Sequence, residues 1–544
     1  MLDKMSPNQR LIIAVVLSIV FFTAYTAIFP PVQPELNKDV QKPTLQTESN
    51  DTLIQQKSLE SMAGHAVEST EKEMSSETNT IVVVTSKNFI LKVDSLGRIA
   101  SKELLQEKFR GDNNKHAQLI PAFGAKPLYL RFSDSELNNE AASVGYVASV
   151  DAINLEGEPQ SVTLTQKLAN LTVEKKITFY DDGHYDVDIK LSDDKKYYVY
   201  LGQRPKINEN EQMMTVVGAM VYTDDDLVTI VEDGDAQGRK TFSGVELISA
   251  FDQYNATIMY GFAKDANIIV QPSSERDSDG DLEHNPNVSF EGTQNISFHG
   301  YIGQKDYKTL EAINPMLTNA IEYGWFTFAA QPLFALLLWL HGIFGNWGWA
   351  IIGLTFIIRV ILYPLTHKGM VSMQKIKELA PKLKEIKEKY GKDPQRMNAA
   401  TMELYKKHGA NPLGGCLPML LQIPVFFAIY RVLLNAPELQ GAPWLLWIDD
   451  LSRMDPYYIL PILMGASMYL QQRMTPNNFT DPLQEKIFKY LPVIFTFFFI
   501  TFPSGLVLYW FVNNLFSIAQ QFIVNQQFAN ANDAKVAVEK SNGK

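Results

Sequence analysis

The sequence lacks the residue patterns on which most metal, nucleotide and thiol chemistry depends. Its 544 residues include one cysteine, Cys416, so no intrachain disulfide can form. The eight histidines are scattered without an HExxH motif or a close pair, and no Walker-type phosphate loop occurs. The stretch ERDSDGD (275–281) resembles a calcium loop, but Pro286 stands where that loop needs a glutamate, which favours an acidic surface turn. We therefore predict a protein that is not an enzyme and holds no cofactor.

Charge divides the chain into two unlike regions. Residues 30–345 carry 27 Lys and Arg against 46 Asp and Glu, a net charge of −19. The rest of the chain carries 22 against 14, a net charge of +8. An acidic block is thus joined to a basic and apolar one. The acidity of the larger block argues against DNA or another nucleic acid as its direct ligand.

Apolar runs predict six membrane spans. The first is LIIAVVLSIVFFTAYTAIF (11–29), within an N-terminal segment 1–30. Its 19 uncharged residues favour an uncleaved signal anchor over a cleaved signal peptide. The other five lie at 347–366, 417–434, 456–472, 490–503 and 505–525.

The charges of the loops predict the orientation. The loop 367–412 carries 11 Lys and Arg against 5 Asp and Glu, whereas the loop 435–455 is acidic. The positive-inside rule places 367–412 in the cytoplasm and 435–455 outside, so both termini, including the tail 526–544, are cytoplasmic. Residues 321–346 are also apolar. Because a further span would invert the charge bias, we predict an amphipathic helix in the outer interface there.

Two kinds of sequence lie between the first two spans. Residues 31–78 are rich in Ser, Thr, Glu, Gln and Lys and predict a flexible linker. Residues 79–320 contain short alternating apolar runs, such as YDVDIKLS, separated by turn-rich breaks such as DDG. This pattern predicts an external all-β domain, a sandwich, rather than an active site.

The cytoplasmic loop 367–412 predicts a helical hairpin broken at GKDP (391–394). Its apolar stripes comprise Met373, Ile376, Leu383, Ile386 and Tyr390 in one arm and Met397, Ala400, Leu404 and His408 in the other. The Lys-rich outer face suits two roles. It is either a solvated surface that obeys the positive-inside rule or a docking arm for an acidic partner or ribosomal RNA.

One arginine lies inside a predicted span. Arg359 is roughly 10 Å from the cytoplasmic end of its span, where a central arginine costs about 2.5–3.5 kcal/mol on insertion scales. The five C-terminal spans contain no Asp or Glu to pair with it. Neutral polar residues at similar depth are Gln422 and Ser517, with Thr355, Asn513 and Asn514 in a second layer. They predict a wet cavity closed towards the outside; the alternative is an arginine that extends to the cytoplasmic surface.

Three other classes of protein compete with this interpretation. A secondary transporter also places polar groups at mid-membrane, but it typically shows an internal repeat or an intramembrane carboxylate. A rhomboid-like protease needs a histidine within the membrane, and no predicted span has one. A carbohydrate-processing enzyme remains open for the β domain alone and is tested by sugar binding.

Four stretches carry a family resemblance. They are LTFIIRVILYPLT, NPLGGCLPMLLQIPVFFAIY, DPYYILPILMG and FPSGLVLYW, in this order. With them, the chain resembles the YidC/Oxa/Alb family of membrane insertases in its Gram-negative form. The resemblance implies a five-helix core with a polar groove and an external β-supersandwich in the bacterial inner membrane. It also implies insertion and folding of nascent inner-membrane proteins, alone or with the Sec translocon.

The resemblance also assigns roles to particular residues. Arg359 matches the groove arginine of the family and Thr355 a groove threonine. Trp510 stands where relatives typically have a substrate-contacting tyrosine, with Tyr509 beside it. Nascent chains, lipid and Sec components are the implied partners, with the ribosome and a targeting receptor at the hairpin. The tail FANANDAKVAVEKSNGK is only weakly basic, which disfavours a ribosome contact through it.

Overall fold

The computed structural model describes residues 79–109, 116–122, 124–207, 215–273, 284–321, 327–391, 393–409, 413–474 and 482–542. The predicted anchor and linker, residues 1–78, lie outside this range. The described chain forms two compact units, one ending at Ile321 and one comprising the described residues that follow it.

The first unit is built mainly of β sheet, with eighteen strands in its described residues. The four-stranded sheet has the order β3-β2-β1-β6, with β1 (Thr80–Thr85), β2 (Phe89–Asp94), β3 (Ile99–Leu104) and β6 (Ala152–Asn154). The five-stranded sheet has the order β13-β16-β17-β10-β4, with β4 (Leu130–Phe132), β10 (Tyr197–Tyr200), β13 (Lys240–Phe242), β16 (Ile268–Pro272) and β17 (Pro286–Gly292).

A nine-stranded sheet completes this unit. Its order is β12-β11-β14-β15-β18-β9-β8-β7-β5, with β5 (Val147–Ala148), β7 (Gln160–Lys167), β8 (Thr172–Phe179), β9 (His184–Leu191), β11 (Gly218–Thr223), β12 (Val228–Glu232), β14 (Val245–Phe251), β15 (Asn255–Tyr260) and β18 (Asn295–Gln304). The unit also contains two short helices: α1 (Ser135–Ser143) lies between β4 and β5, and α2 (Tyr307–Ile313) follows β18. The predicted β-rich domain is therefore confirmed.

Alternation along the strands explains the core of this unit. In β8, Val173, Ile177 and Phe179 point inward while Glu174 and Lys176 are exposed, as period-two patterning predicts. Lys175 breaks the pattern because it points inward with the apolar residues and is fully buried. Its ammonium donates to two main-chain oxygens, Gly97 O at 2.7 Å and Leu128 O at 2.8 Å, which lie outside its own sheet.

A second buried lysine has the same kind of environment. Lys102, on β3, donates from Nζ to Ile302 O at 2.5 Å and to Gly183 O at 3.4 Å. Ile302 belongs to β18, so this side chain ties the four-stranded sheet to the nine-stranded one. Burial lowers the pKa of both Lys102 and Lys175 to about 7, against the raising effect of nearby aspartates.

The second unit is helical. Its helices are α3 (Thr327–Phe344), α4 (Trp347–Glu378), α5 (Ala380–Tyr390), α6 (Pro394–His408), α7 (Leu413–Asn435), α8 (Ile459–Met474), α9 (Pro482–Phe499) and α10 (Ser504–Asn542). Helix α4 packs on α3, α7 and α10, and α8 packs on α9 and α10. Large apolar side chains remain exposed on the outside, such as Phe497 at 80% and Ile361 at 68%, as expected of a surface that lipid covers.

Three described helices are long and apolar enough to cross a membrane, namely α3, α4 and residues Ser504–Asn530 of α10. Two shorter apolar stretches, Gln422–Asn435 and Phe488–Phe499, lie in α7 and α9. The predicted count of six spans is not confirmed and stays a prediction. By length and composition α3 also qualifies as a span, so its predicted place in the interface is likewise untested.

Helix α4 is longer than the span predicted at 347–366. It continues through Pro364 to Glu378, and its last six residues, MQKIKE, are mostly good helix formers. The first arm of the predicted hairpin therefore comprises the end of α4 together with α5. Helix α6 forms the second arm, beginning at the Asp393 cap and ending at Gly409 in the left-handed conformation.

Candidate functional site

Arg359 is a residue of α4, and its side chain forms hydrogen bonds with neutral partners on α10. Its Nε donates to Asn513 Oδ1 at 2.8 Å, and its Nη2 donates to Asn513 O at 2.9 Å and to Ser517 Oγ at 2.5 Å. Ser517 in turn donates to Asn513 O at 3.0 Å. The guanidinium therefore binds both the side chain and the main chain of one turn of α10.

Gln422 adds a third helix to this cluster. Its Nε2 donates to Asn513 Oδ1 at 2.9 Å, so one carboxamide oxygen accepts from both Arg359 and Gln422. The Gln422 side chain also forms a hydrogen bond with Tyr509, which is almost completely buried. The structure therefore brings Arg359, Gln422 and Ser517 together, with Asn513, which was expected in a second layer, bonded directly to the first two. The role of these residues as a substrate groove stays a prediction.

Two predicted members point elsewhere. The Thr355 hydroxyl donates to Ile351 O at 2.7 Å, four residues back in its own helix, rather than to Arg359. Asn514 donates to Ser467 Oγ on α8 at 3.1 Å. Successive residues of a helix project about 100° apart, so neighbouring asparagines cannot both face Arg359. The depth of each residue along its span predicted how far it lies from the cytoplasmic end, but not the side of the helix from which its side chain projects.

Trp510 belongs to an aromatic cluster beside the polar one. Its ring lies 4.8 Å from that of Phe426, 5.3 Å from that of Phe499 and 6.0 Å from that of Phe495. Phe426 follows Gln422 by four residues and Trp510 precedes Asn513 by three, so the rings lie about one helical turn from the polar cluster. An aromatic layer therefore adjoins the hydrogen-bonded residues on the side where α10 begins.

The polar cluster keeps its positive charge. Among the described residues, no carboxylate forms an ion pair with Arg359, and its Nη1 makes no hydrogen bond. Neutral oxygens replace part of the hydration of the guanidinium without cancelling its charge. The arrangement is suited to binding an acidic or polar group that enters from outside the cluster.

Sequence reasoning missed four polar residues of the same helices. They are Ser467, Thr366, Gln520 and Gln521, all buried. Gln520 Nε2 donates to Thr366 Oγ1 at 2.9 Å. Spacing could have revealed this pair, because Asn513, Ser517 and Gln520 fall four and three residues apart, on one heptad stripe.

In the described residues, a β-rich domain precedes a bundle of apolar helices in which Arg359 has neutral partners, and three of these helices are long and apolar enough to span a membrane, which defines the class as a membrane protein with a large β domain. Two family models match the chain: "YidC periplasmic domain" over residues 82–336 and "60Kd inner membrane protein" over residues 339–531. The chain belongs to the YidC family. It is accordingly an inner-membrane protein with a periplasmic domain.

Three relatives are similar to this chain along nearly its full length. The chain is 46% identical to the membrane protein insertase YidC of Wolinella succinogenes over 528 residues, covering 96% of each chain. It is 46% identical to the protein of the same name from Campylobacter jejuni, covering 97% of this chain and 98% of that one. The Helicobacter pylori relative is 44% identical, with coverage of 97% and 98%. These relatives give no support to the secondary-transporter alternative.

Proposed function

We propose that this chain is a membrane protein insertase and chaperone that inserts and folds nascent inner-membrane proteins through the polar cluster at Arg359. One observation carries the proposal: within the described part of the apolar helix bundle, the Arg359 guanidinium is bonded to the neutral residues Asn513 and Ser517, and its Nη1 makes no hydrogen bond there. The names of the three relatives agree with it.

The mechanism is physical and involves no covalent step. A nascent apolar segment moves along the side of the bundle between α7 and α9, where apolar residues such as Ile423 and Phe497 are exposed. Its short polar flank meanwhile occupies the cluster, where hydrogen-bonding groups lower the cost of removing it from water. Transfer of the apolar segment into lipid then drives release of the flank outward.

The architecture proposed with this function goes further than the described helices. It comprises six spans, with the first at 11–29, cytoplasmic termini and a β-supersandwich in the periplasm. The loop 435–455 then lies outside. Its tryptophans agree with that placement, since Trp444 packs edge-on against Trp349 near the start of α4, with ring centres 6.1 Å apart.

The proposed partners follow from charge and position. The hairpin made of the end of α4, α5 and α6 is suited to the ribosome or a targeting receptor, because exposed lysines such as Lys384 and Lys387 line α5. The Sec translocon is the partner proposed for those substrates that are not inserted by this protein alone. DNA is not a proposed ligand.

Photocrosslinking at Gln422 tests the proposal. A photoreactive amino acid at this position is exposed to ribosome-bound nascent chains that contain a membrane segment or a polar replacement of it. We expect crosslinks to the first chain only, because only an apolar segment brings its flank to the cluster. Gln472 on α8 is the matched control. It is a half-buried glutamine bonded to the Phe488 carbonyl instead of the cluster.

Two results would contradict the proposal. Equal crosslinking at Gln422 and Gln472 would mean that contact with nascent chains is nonspecific. No crosslink at Gln422, in protein that still supports growth of a depleted strain, would mean that insertion takes another route.

A further inference from the structure

A second polar bond joins α4 and α10 seven residues beyond Arg359. Gln520 Nε2 donates to Thr366 Oγ1 at 2.9 Å, and both side chains are buried, at 7% and 4% exposure. The two pairs Arg359–Asn513 and Thr366–Gln520 have the same separation in sequence, 154 residues. The helices therefore run parallel and in constant register over about 10 Å of their length.

Thr366 lies at a weak point of α4. Pro364, two residues before it, has no main-chain N–H and cannot complete the helical hydrogen bond to Val360 O. The Thr366 hydroxyl lies 3.1 Å from both Leu362 O and Tyr363 O, and its single proton can bind one of them while its lone pair accepts from Gln520. Gln520 is thus linked through Thr366 to the main chain around the proline.

The part of α4 after Pro364 carries the hairpin. Ile376 on α4 and Leu379 after it are buried at 7% and 5% exposure. Around them pack residues of all three hairpin helices, namely Met373, Leu383, Leu404 and Tyr405. This apolar cluster makes the end of α4, α5 and α6 a single body. That body continues from the first part of α4 through the segment around Pro364, and the chain leaves it again from α6 towards α7.

We propose that Gln520 is a positioning residue for the hairpin. Through Thr366 it holds the part of α4 after Pro364 in place against α10. Without that bond, the proline allows α4 to bend, and the hairpin moves with it. The position of the hairpin relative to the Arg359 cluster then sets how far the cluster is open to the cytoplasm. Only this last step rests on the proposed insertase function, because the hairpin position can be measured without any substrate.

The test is a distance distribution between the hairpin and α10. Spin labels are placed at Lys384 on α5 and Gln526 on α10, two exposed positions, after replacement of Cys416 by serine. Pulsed electron paramagnetic resonance of the full chain in lipid nanodiscs then compares the original sequence with Gln520→Leu. We expect one dominant distance in the original. In the variant we expect about threefold more of a second one, the size of effect of one interhelical hydrogen bond in a membrane.

The adjacent residue, Gln521, provides a matched control. Gln521 is equally buried, at 3% exposure, but its Nε2 donates to Asn525 of its own helix at 2.9 Å. Gln521→Leu should leave the distribution unchanged, although it also removes a buried amide. Thr366→Val should reproduce Gln520→Leu, whereas Thr366→Ser, which keeps the hydroxyl, should restore the original distribution. If Gln520 contributed only to general stability, the distance distribution would not depend on the hydroxyl of residue 366 in this way.

Two outcomes would overturn the proposal. One is an unchanged distribution in folded Gln520→Leu, and the other is an equal change in Gln521→Leu. Insertion by the same variants in proteoliposomes is the second measurement. Gln520→Leu should insert acidic-flanked and neutral-flanked segments less well by the same factor, because it alters geometry and no charge. Failure of the original sequence to insert any segment would contradict the proposed function, while the distances would still decide the role of Gln520.

Discussion

Arg359 binds Asn513 twice, once through the side-chain oxygen and once through the main-chain carbonyl. A substitution at 513 can remove only the first of these bonds. The side chain of residue 513 therefore tunes the environment of the guanidinium without releasing it from α10. This separation allows the charge of the cluster and its geometry to be altered independently.

Asn513→Asp should neutralise the cluster while keeping its shape. A carboxylate at the position of the carboxamide accepts the same bonds from Arg359 and Gln422, and it adds an ion pair in a region of low dielectric. We expect insertion of acidic-flanked segments to fall about tenfold, with little effect on neutral ones. Insertion in proteoliposomes with paired substrates measures this. An equal fall for both substrates would mean that the charge of the cluster is not what recognises the flank.

Asn513→Ala, in contrast, should lower the stability of the protein without changing its preference between acidic-flanked and neutral-flanked segments. The shared acceptor is lost, so Arg359 and Gln422 each lose a buried partner, at a cost of about 1–3 kcal/mol of stability. The positive charge and the bond to Asn513 O remain. Thermal unfolding in detergent should show the loss, while the ratio between acidic-flanked and neutral-flanked insertion stays at its original value.

Arg359→Gln should impair acidic-flanked substrates most. The variant keeps a hydrogen-bonding side chain at the site but has no charge, so neutral flanks still find polar partners. Arg359→Lys keeps the charge and loses the forked contact with Asn513 and Ser517, and should therefore retain part of the preference. Equal loss for acidic and neutral flanks in Arg359→Gln would count against the electrostatic part of the mechanism.

Gly465→Ala should destabilise the packing of α8 on α9. A Cβ at this position would clash with Thr496 Oγ1. The Thr496 hydroxyl is itself held by a 2.7 Å hydrogen bond to Pro492 O. We expect a loss of about 1–3 kcal/mol, as for other overpacked sites. Gly342 in α3 is the control, since nothing lies within 4 Å of its Cβ position. Gly342→Ala should be neutral or slightly stabilising, and equal melting temperatures for the two variants would contradict this packing.

The stability of the first unit should rise with pH above neutrality. Burial lowers the pKa of Lys175 to about 7 from 10.5, so between these values the unfolded chain binds a proton that the folded one has released. Stability then increases with pH by up to about 1.4 kcal/mol per pH unit for one lysine. Below pH 7 both states are protonated and this contribution to the slope vanishes.

Lys175→Met should reduce that slope. It removes the titrating group, although it leaves Gly97 O and Leu128 O without their donor. Urea unfolding followed by the far-ultraviolet signal of β sheet, at several pH values between 7 and 10, measures the difference. An identical slope in the variant would show that Lys175 titrates in the folded protein as it does in water.

The sequence predicted the composition of the polar cluster better than its contacts. Absence of acids from the spans and equal depth were enough to bring Arg359 together with Gln422 and Ser517. Depth says nothing about rotation around a helix, which is why Thr355 and Asn514 were included although they bond to Ile351 and Ser467. The Thr366–Gln520 pair was missed because neither residue is charged and only the partner helix reveals its role.

The same limit applies to the sheets. Alternating residues predicted strands such as β8 and β9, since burial on one face repeats every second residue. The pairing order across nine strands depends on contacts far apart in sequence, and local periodicity does not contain them. Lys175 shows this most clearly, because a lysine in an alternating strand is normally assigned to the exposed face.

Two of the buried lysines of the first unit, Lys102 and Lys175, each face a glycine that has a positive φ angle. Gly97 (φ +66°) and Gly183 (φ +94°) supply the carbonyl oxygens, and a Cβ at either would lie near the amine, 3.3 Å from Lys175 Nζ and 2.6 Å from Lys102 Nζ. Each lysine and its glycine are therefore constrained as a pair. Substitution of the glycine alone crowds the amine, and loss of Lys175 removes the ammonium donor of Gly97 O, whereas Gly183 O would still accept from Ile302 N–H. In a set of relatives, these positions should consequently change together rather than one at a time.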